Sequence, residues 1–584
     1  MNIEDMEGLD EETRKEIERL QGITREKYGN QIFAGSLFSI GKILYENDYI
    51  KDALDVWQGI DINDEPEIYA NALFEIGKCV LPRKSLKIED LDKPIRVWEK
   101  IERMYSTETY ARAQHGIMLM HSIRGDFKQA LITLDNILYT DCPTTFARAN
   151  YFLGTELIKK KLFSEAYIAS PLFMKSIELF PYESSCYRKI CDLSVSVETQ
   201  IIGNLYLQLF NKVLSIVDIL KLDFGSSLIE EKSSERKLAH YTSTHTTNLL
   251  LSLDEKNELP SSFRLNTINN VNDPSEGQLL INYLKSIKIG SFYAPDFDEN
   301  LHAFISCFTF NHDSLNQFRL YGKKDNKEAS GVSLVFKKEF FQSESTKDGL
   351  SFLAFQDELQ NSDKFYVKQS IEDSNLDQSF QANKIANKQP VMRCVYLDPT
   401  SNYIQLAQRN QLTFYREFGD EKFTFENRDG VREEIIWADI EWEKYKFEIN
   451  KKTKDFKKAF KELKEIYILL NREKENLDSI ELKNLNDTND LLDEILLPLK
   501  YLIKHSAFQE EQECRMVYIT SLKEKKVQIE FGKFMYIEYD VDVKLNLDKI
   551  YIAPAAIQYQ PYLAKLLCDT DVKIELSNNP YRQT

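Results

Sequence analysis

Two stretches of the same pattern decide the fold of the first half of the chain: Leu37-Phe38-Ser39-Ile40-Gly41-Lys42-Ile43-Leu44 and Leu73-Phe74-Glu75-Ile76-Gly77-Lys78-Cys79-Val80. Each places a glycine inside an apolar helical pattern, and Gly116 and Gly154 continue the series. Consecutive glycines are 36, 39 and 38 residues apart. A nearly constant interval of this length indicates a repeated helical unit.

A second amphipathic segment follows each glycine, at 53–57, 95–98, 130–134 and 166–168. The pattern resembles the tetratricopeptide repeat, a helix–turn–helix unit of about 34 residues. The resemblance implies that the glycine lets the second helix pack closely and that an alanine completes the contact. In the second copy Pro94 replaces this alanine. We expect an all-α helical-repeat solenoid over residues 1–222, whose surface binds a protein or peptide partner.

Charge is spread evenly along the 584 residues, with 75 Lys and Arg against 93 Asp and Glu and a net charge of −18. Residues 1–236 and 237–584 each carry a balance of −9. A broad nucleic-acid-binding face concentrates positive charge, so we expect none. The acidic start, the lack of an apolar run of about 18 residues and eight scattered cysteines predict a cytoplasmic protein with no membrane span and no metal site.

Near residue 223 the helical pattern gives way to short β-like runs. We interpret 223–237 as a linker and 238–584 as an α+β domain. Candidate strands are 303–310, 331–336, 392–397, 515–519, 534–539, 549–553 and 572–576. A long charged helical stretch extends from 440 to 505, and we expect a helical insertion at about 440–500, with its charges forming a solvated face.

Four short motifs occur in the second half: His240-Tyr241-Thr242-Ser243, Ser262–Asn266 continuing to Asn272–Gly277, Ile305–Phe308 followed by Phe318–Gly322, and Glu511–Arg515. In this order, and together with Ile550–Pro554 and Ser577–Arg582, they are similar to the bacterial family of domain of unknown function 2971. The similarity covers about residues 238–584 and implies no activity by itself.

A domain with a His-x-Thr opening strand, a central arginine and a glutamate on a later strand also resembles the mono-ADP-ribosyltransferases. The resemblance implies an ADP-ribosyltransferase-like mixed sheet and NAD as the substrate. His240 and Thr242 then hold the nicotinamide ribose, Arg319 neutralises the pyrophosphate and Glu513 stabilises the developing oxocarbenium ion. We therefore assign Glu513 and Glu511 to catalysis, and the following residues to NAD binding: His240, Tyr241, Thr242, Asn272, Asp273, Arg319 and Tyr321.

Strand periodicity places Glu511, Glu513 and Arg515 on one face of an expected strand. The alternative is an intrastrand ion pair at a solvated edge, which stabilises little. Likewise, His240 could be a structural histidine, and the segment Asn272-Asp273-Pro274 could be an ordinary turn. Arg319 and Tyr321, two residues apart, could face the same cleft. The alternative for Arg319 is a structural ion pair with Glu511 or Glu513.

The layout suggests a bacterial sensor–effector protein, such as a toxin or an anti-phage effector, that transfers ADP-ribose to a macromolecular acceptor. The alternative is a non-catalytic binding or scaffold protein, and a nuclease is a third, weaker possibility. No G-x-x-x-x-G-K-[ST] phosphate loop is present, which argues against a P-loop ATPase.

Overall fold

The computed structural model describes residues 9–81, 88–195, 197, 199–222, 235, 237–252, 260–270, 277–285, 299, 301–321, 328–341, 353–354, 385–386, 388–418, 422–426, 432–476, 487–530, 534–539 and 541–581. The chain divides into two compact units, Met1–Gly203 and Asn204–Thr584. The division lies upstream of the linker expected at 223–237, of which only Glu235 and Lys237 are described.

The first unit is helical, as the sequence predicts. Its helices are α1 (Glu11–Gln21), α2 (Arg25–Tyr28), α3 (Asn30–Glu46), α4 (Ile50–Gln58), α5 (Pro66–Cys79), α6 (Asp92–Trp98), α7 (Thr107–Arg124), α8 (Phe127–Asp135), α9 (Pro143–Ser176) and α10 (Pro181–Ser194), and α11 (Gln200–Leu220) begins at its end. A short 3₁₀ helix, Ile88–Leu91, precedes α6.

The repeated glycines make room for tryptophan rings. A methyl group on Gly41 would overlap the indole of Trp57, and one on Gly77 or Gly116 would overlap that of Trp98. Trp57 Nε1 donates to the carbonyl of Phe38 at 3.1 Å, within the helix that contains Gly41. The period seen in the sequence therefore records close packing of an indole against a helix backbone.

The fourth repeat lies within α9, a helical segment of 34 residues. The ring of Phe173 would contact a methyl group placed on Gly154. In a straight helix these two residues would be about 28 Å apart, since each residue rises about 1.5 Å. The segment therefore bends back on itself, and Ala166 is buried within it.

The second unit combines helices with a mixed sheet, as expected. Its remaining helices are α12 (Thr244–Leu251), α13 (Leu279–Leu284), α14 (Leu315–Tyr321), α15 (Gln411–Phe418), α16 (Trp437–Glu475), α17 (Asp487–Lys500) and α18 (Gln560–Leu566). Helices α16 and α17 occupy the predicted helical insertion. Short 3₁₀ helices are Ile268–Asn270, Lys338–Phe340, Ser506–Glu511 and Pro554–Tyr559.

The strands of the second unit are β1 (Leu238–Ser243), β2 (Phe263–Thr267), β3 (His302–Thr309), β4 (Gly331–Phe336), β5 (Leu353–Ala354), β6 (Ile385–Ala386), β7 (Val391–Arg393), β8 (Val395–Asp398), β9 (Tyr403–Leu406), β10 (Lys422–Glu426), β11 (Arg432–Ile436), β12 (Ile503–His505), β13 (Glu513–Thr520), β14 (Val527–Glu530), β15 (Phe534–Tyr539), β16 (Leu547–Ile552) and β17 (Lys573–Leu576).

The main sheet has the order β14-β15-β2-β3-β1-β4-β16-β17, and β13 pairs with β3, β5 and β7 beside this path. Strands β10 and β11 form a hairpin, and β12, β8 and β9 form a small separate sheet. The single strand expected at 392–397 is interrupted at Cys394, since β7 pairs with β13 whereas β8 pairs with β12. This switch carries the chain from the main sheet to the small one.

Aromatic side chains fill the core below β1–β4. Phe336 and Phe340 stack with ring centroids 4.0 Å apart, and Phe263 contacts both of them edge-on. This packing fixes the backbone of β1 and β2, the strands that carry His240 and Arg264.

Candidate active site

A gap in the main sheet opens beside β3. One edge of β3 pairs with β13 along its whole length. The other edge pairs with β2 at Phe304 and Ile305 and with β1 at Thr309. No described strand pairs with Ser306–Phe308 on that edge. A cavity of about 750 Å³ lies at this gap, lined by β1, β2, β3, β13 and α12.

His240 closes part of the gap with its side chain. Its Nδ1 lies 2.9 Å from the carbonyl oxygen of Cys307. A carbonyl only accepts hydrogen bonds, so Nδ1 carries the proton. Burial lowers the pKa of His240, outweighing the opposite effect of this hydrogen bond. The ring is therefore neutral at pH 7, and Nε2 is an acceptor.

Thr242 and Tyr241, from the same motif as His240, differ in role. Thr242, two residues along the same strand, is buried and lines the cavity. Tyr241 contributes to the wall, but its hydroxyl donates to the carbonyl of Asn311 at 2.7 Å and accepts from the amide of Ser314 at 2.8 Å. Two backbone groups therefore already occupy the Tyr241 hydroxyl, and the role of Tyr241 in NAD binding stays a prediction.

The catalytic pair was expected on one strand, and that expectation is wrong for Glu511. Glu511 ends the 3₁₀ helix Ser506–Glu511, and β13 begins only at Glu513. Between them, Gln512 has a φ of 46°, in the left-handed region. The chain therefore turns at Gln512, and strand alternation does not relate the two glutamates.

Lys504 brings the two carboxylates together all the same. Its ammonium lies 2.7 Å from Glu511 Oε2 and 2.5 Å from Glu513 Oε2. All three side chains are buried and line the cavity. Lys504 is not among the site residues predicted from the sequence; its only signal there is a lysine directly after the apolar run Tyr501-Leu502-Ile503.

Arg515 completes this buried charge network. Its Nε donates to Glu513 Oε1 at 2.7 Å, and its Nη1 donates to the carbonyl of Tyr501 at 2.6 Å. Burial alone would raise the pKa of Glu513, but the charges of Arg515 and Lys504 lower it well below its usual range. Glu513 is thus a fully ionised carboxylate in the interior, as a stabiliser of positive charge requires.

Tyr321 joins the same network from α14. Its hydroxyl donates to Glu511 Oε1 at 2.8 Å. Burial, followed by the charge of Glu511, raises the pKa of Tyr321 far above its ordinary value, so the phenol stays protonated. Tyr321 therefore orients Glu511 as a hydrogen-bond donor.

Arg319 is not part of the cavity. Its side chain is half exposed, and its Nε donates to Glu328 Oε2 at 2.8 Å. The prediction that Arg319 and Tyr321 face one cleft is wrong, because both lie on α14 and residues two apart on a helix point in different directions. The suggested pairing of Arg319 with Glu511 or Glu513 is wrong as well.

Arg264 on β2 is the guanidinium that lines the cavity outside the buried network. It lies over the ring of Tyr536 at 3.9 Å, and its Nη1 is 3.8 Å from Glu530 Oε2. Its buried Nε has no hydrogen-bond partner among the described residues. A buried donor without a partner is uncommon in proteins.

Asn272 and Asp273 fall outside the described residues. Within the described ranges, no group of three or more His, Cys, Asp and Glu side chains is arranged to hold a metal ion. None of the described helices is both long and apolar enough to cross a membrane.

Comparison with protein-family models, with curated proteins and with solved structures gave no match to this chain.

Proposed function

We propose that the second unit cleaves NAD and transfers its ADP-ribose to a macromolecule, as a mono-ADP-ribosyltransferase-like effector. One observation carries the proposal. Six residues assigned from the sequence line a single cavity: His240, Tyr241, Thr242, Tyr321, Glu511 and Glu513. Its volume of about 750 Å³ lies within the roughly 300–1,000 Å³ typical of ligand sites, so a dinucleotide is a suitable occupant.

The proposed reaction breaks the bond between C1′ of the ribose and the nicotinamide nitrogen. Nicotinamide leaves with the bonding electron pair and becomes neutral, while positive charge develops on C1′ and the ring oxygen. The ionised carboxylate of Glu513 stabilises that charge as it forms. A nucleophile of the acceptor then bonds to C1′ and loses its proton.

The remaining residues bind the substrate in this proposal. The Nε2 atom of His240 accepts a hydrogen bond from a ribose hydroxyl, and the Thr242 hydroxyl lies on the same strand face. Arg264 takes the role first assigned to Arg319 and contacts the diphosphate. Tyr321 holds Glu511, which together with Lys504 fixes the position of Glu513.

The wider role follows the sequence resemblances. We propose that residues 238–584 belong with the domain of unknown function 2971 family and have an ADP-ribosyltransferase-like fold. The helical repeats of residues 1–222 then bind a protein or peptide partner that triggers or directs the enzyme in a bacterial cytoplasm, in the manner of a toxin or anti-phage effector. The mixed sheet and the helical first unit agree with this layout.

The test is incubation of the full-length protein with NAD labelled in its adenylate phosphate, with a bacterial lysate as the source of acceptor and partner. We expect release of nicotinamide and transfer of label to a macromolecule. Glu513→Gln should abolish both. Glu510→Gln is the matched control, because Glu510 is an exposed neighbour that does not line the cavity. An active Glu513→Gln variant, or a wild-type protein that leaves NAD intact, would refute the proposal.

A non-catalytic ligand-binding domain is the second candidate. It is favoured by the complete pairing of Glu513, whose two oxygens bind Lys504 and Arg515. Calorimetry with NAD separates the two functions. Binding without release of nicotinamide, in the presence of the same lysate, supports the binding domain.

A further inference from the structure

Three strands present a common face at the exposed end of the cavity. In the sheet register, Asn266 faces Tyr536, Arg264 faces Glu538, and Phe534 faces Glu530. Paired residues of adjacent strands point to the same side. Gln528 also faces Tyr536, so the face combines two aromatic rings, one guanidinium, two carboxamides and two carboxylates.

Arg264, Asn266 and Phe534 line the cavity, whereas Tyr536 does not. Tyr536 lies behind Arg264, with the guanidinium carbon 3.9 Å from its ring centre, and packs against Phe534 at 5.5 Å with the rings at 65°. This support holds the guanidinium plane and the Phe534 ring in place. A flat ring surface and a hydrogen-bonding carboxamide thus face the same space.

The charge of this face favours an uncharged ring system over a nucleic-acid strand. One guanidinium, Arg264, is set against Glu530 and Glu538, and the whole chain is acidic. A polynucleotide is held mainly through its phosphates by an excess of Lys and Arg. A single purine needs only a stacking surface and an edge-on hydrogen-bond partner.

We infer that the exposed end of the cavity is a purine-base subsite, in which the base stacks on Phe534 and hydrogen-bonds to Asn266. This inference rests on the proposed function and defines the substrate as a purine-containing dinucleotide. The base occupies the exposed end, Arg264 contacts the diphosphate, and the nicotinamide ribose lies at the buried end beside Glu513. The partly exposed guanidinium of Arg264 supplies the hydrogen-bond donors at the middle position.

Calorimetry of the full-length protein with three probes tests the subsite: NAD, AMP and nicotinamide mononucleotide. AMP contains the purine and lacks nicotinamide, and the mononucleotide has the reverse composition. Stacking of a base contributes about 1–3 kcal/mol, so Phe534→Ala should weaken NAD and AMP about tenfold or more and change the mononucleotide by less than about twofold. Phe534→Trp should restore the affinity for AMP.

Ile529→Ala is the matched control, because Ile529 is an exposed residue of β14 next to Glu530 and points to the opposite side. The subsite is wrong if the wild-type protein binds NAD with an affinity that Phe534→Ala leaves unchanged, or if AMP does not bind at millimolar concentration. Failure of the proposed function has a different signature. In that case AMP binds through Phe534 while NAD is never cleaved.

Discussion

The Lys504 ammonium lies 2.5 Å from a carboxylate oxygen of Glu513, and the two side chains are only 5% and 6% exposed. A buried carboxylate is stable only when its charge is compensated. Here one lysine compensates two glutamates, and Arg515 supplies the second positive charge. The four charges sum to zero, so removal of any one leaves an unbalanced charge in the interior.

Lys504→Met should destabilise the protein by about 3 kcal/mol, because breaking a buried ion pair leaves a charge without its partner. Urea unfolding followed by circular dichroism measures the loss. Lys523→Met is the control, since Lys523 is exposed and its ion pair with Glu299 is long, at 3.7 Å; a change below about 0.5 kcal/mol is expected there. Adding Glu511→Gln to Lys504→Met should recover part of the lost stability, because it removes one of the two uncompensated carboxylates. If no stability is recovered, Lys504 does not compensate the charge of Glu511.

The two arginines discriminate between the sequence assignment and the structure. Arg264→Ala should raise the Kd for NAD about tenfold, because it removes a charge-assisted contact worth about 1.5–3 kcal/mol. Arg319→Ala should change the Kd by less than about twofold, since Arg319 is half exposed and binds Glu328. Calorimetry measures both Kd values. A larger increase for Arg319→Ala than for Arg264→Ala would assign the diphosphate contact to Arg319 again.

Two glycines of one helix should respond in opposite directions to alanine. Gly41→Ala forces a methyl group into the indole of Trp57 and should cost about 1–3 kcal/mol as overpacking. Gly35→Ala, in the same helix α3, meets nothing closer than Ile68 Cδ1 at 3.9 Å. It should stabilise by up to about 1 kcal/mol through helix propensity. Thermal unfolding of both variants tests whether Gly41 makes room for the Trp57 indole. Equal changes in stability for the two variants would exclude this role.

The first unit should lose stability in mild acid through His115 on α7. Burial, with a smaller effect of Arg148, lowers the pKa of His115 to about 4, against about 6.5 in an unfolded chain. The unfolded chain therefore takes up the proton first, so the contribution is complete above about pH 6.5 and is lost as the pH falls towards 4. The expected loss is about 3 kcal/mol.

Urea unfolding at pH 7.5 and pH 4.5 measures this dependence. His115→Gln should remove that part of the pH dependence, whereas His121→Gln in the same helix should retain it. An unchanged pH dependence in the His115 variant would assign the effect to other groups.

The type of a single helix or strand could be predicted from the sequence, whereas contacts formed between different elements could not. The spacing from Gly41 to Gly77 indicated helices, and the runs at 303–310 and 331–336 indicated strands. Glu511 was misplaced because nothing in the sequence marks Gln512 as left-handed. Lys504 was missed because it lies at the end of the charged stretch 440–505, whose charges were expected to form a solvated face, although an apolar run directly precedes it. Its burial results from the pairing of β12 with β8, which brings it beside β13.

The buried charges of the candidate site all come from one short stretch of chain, Lys504 to Arg515. Ion pairs between residues so close in sequence close short loops, whose entropy cost is small. The four charges can therefore pair with one another before the stretch packs against β3, and the interior receives one charge-balanced network instead of four separate ions. Exchange of this segment as a block into a related sheet should carry the whole charge network with it.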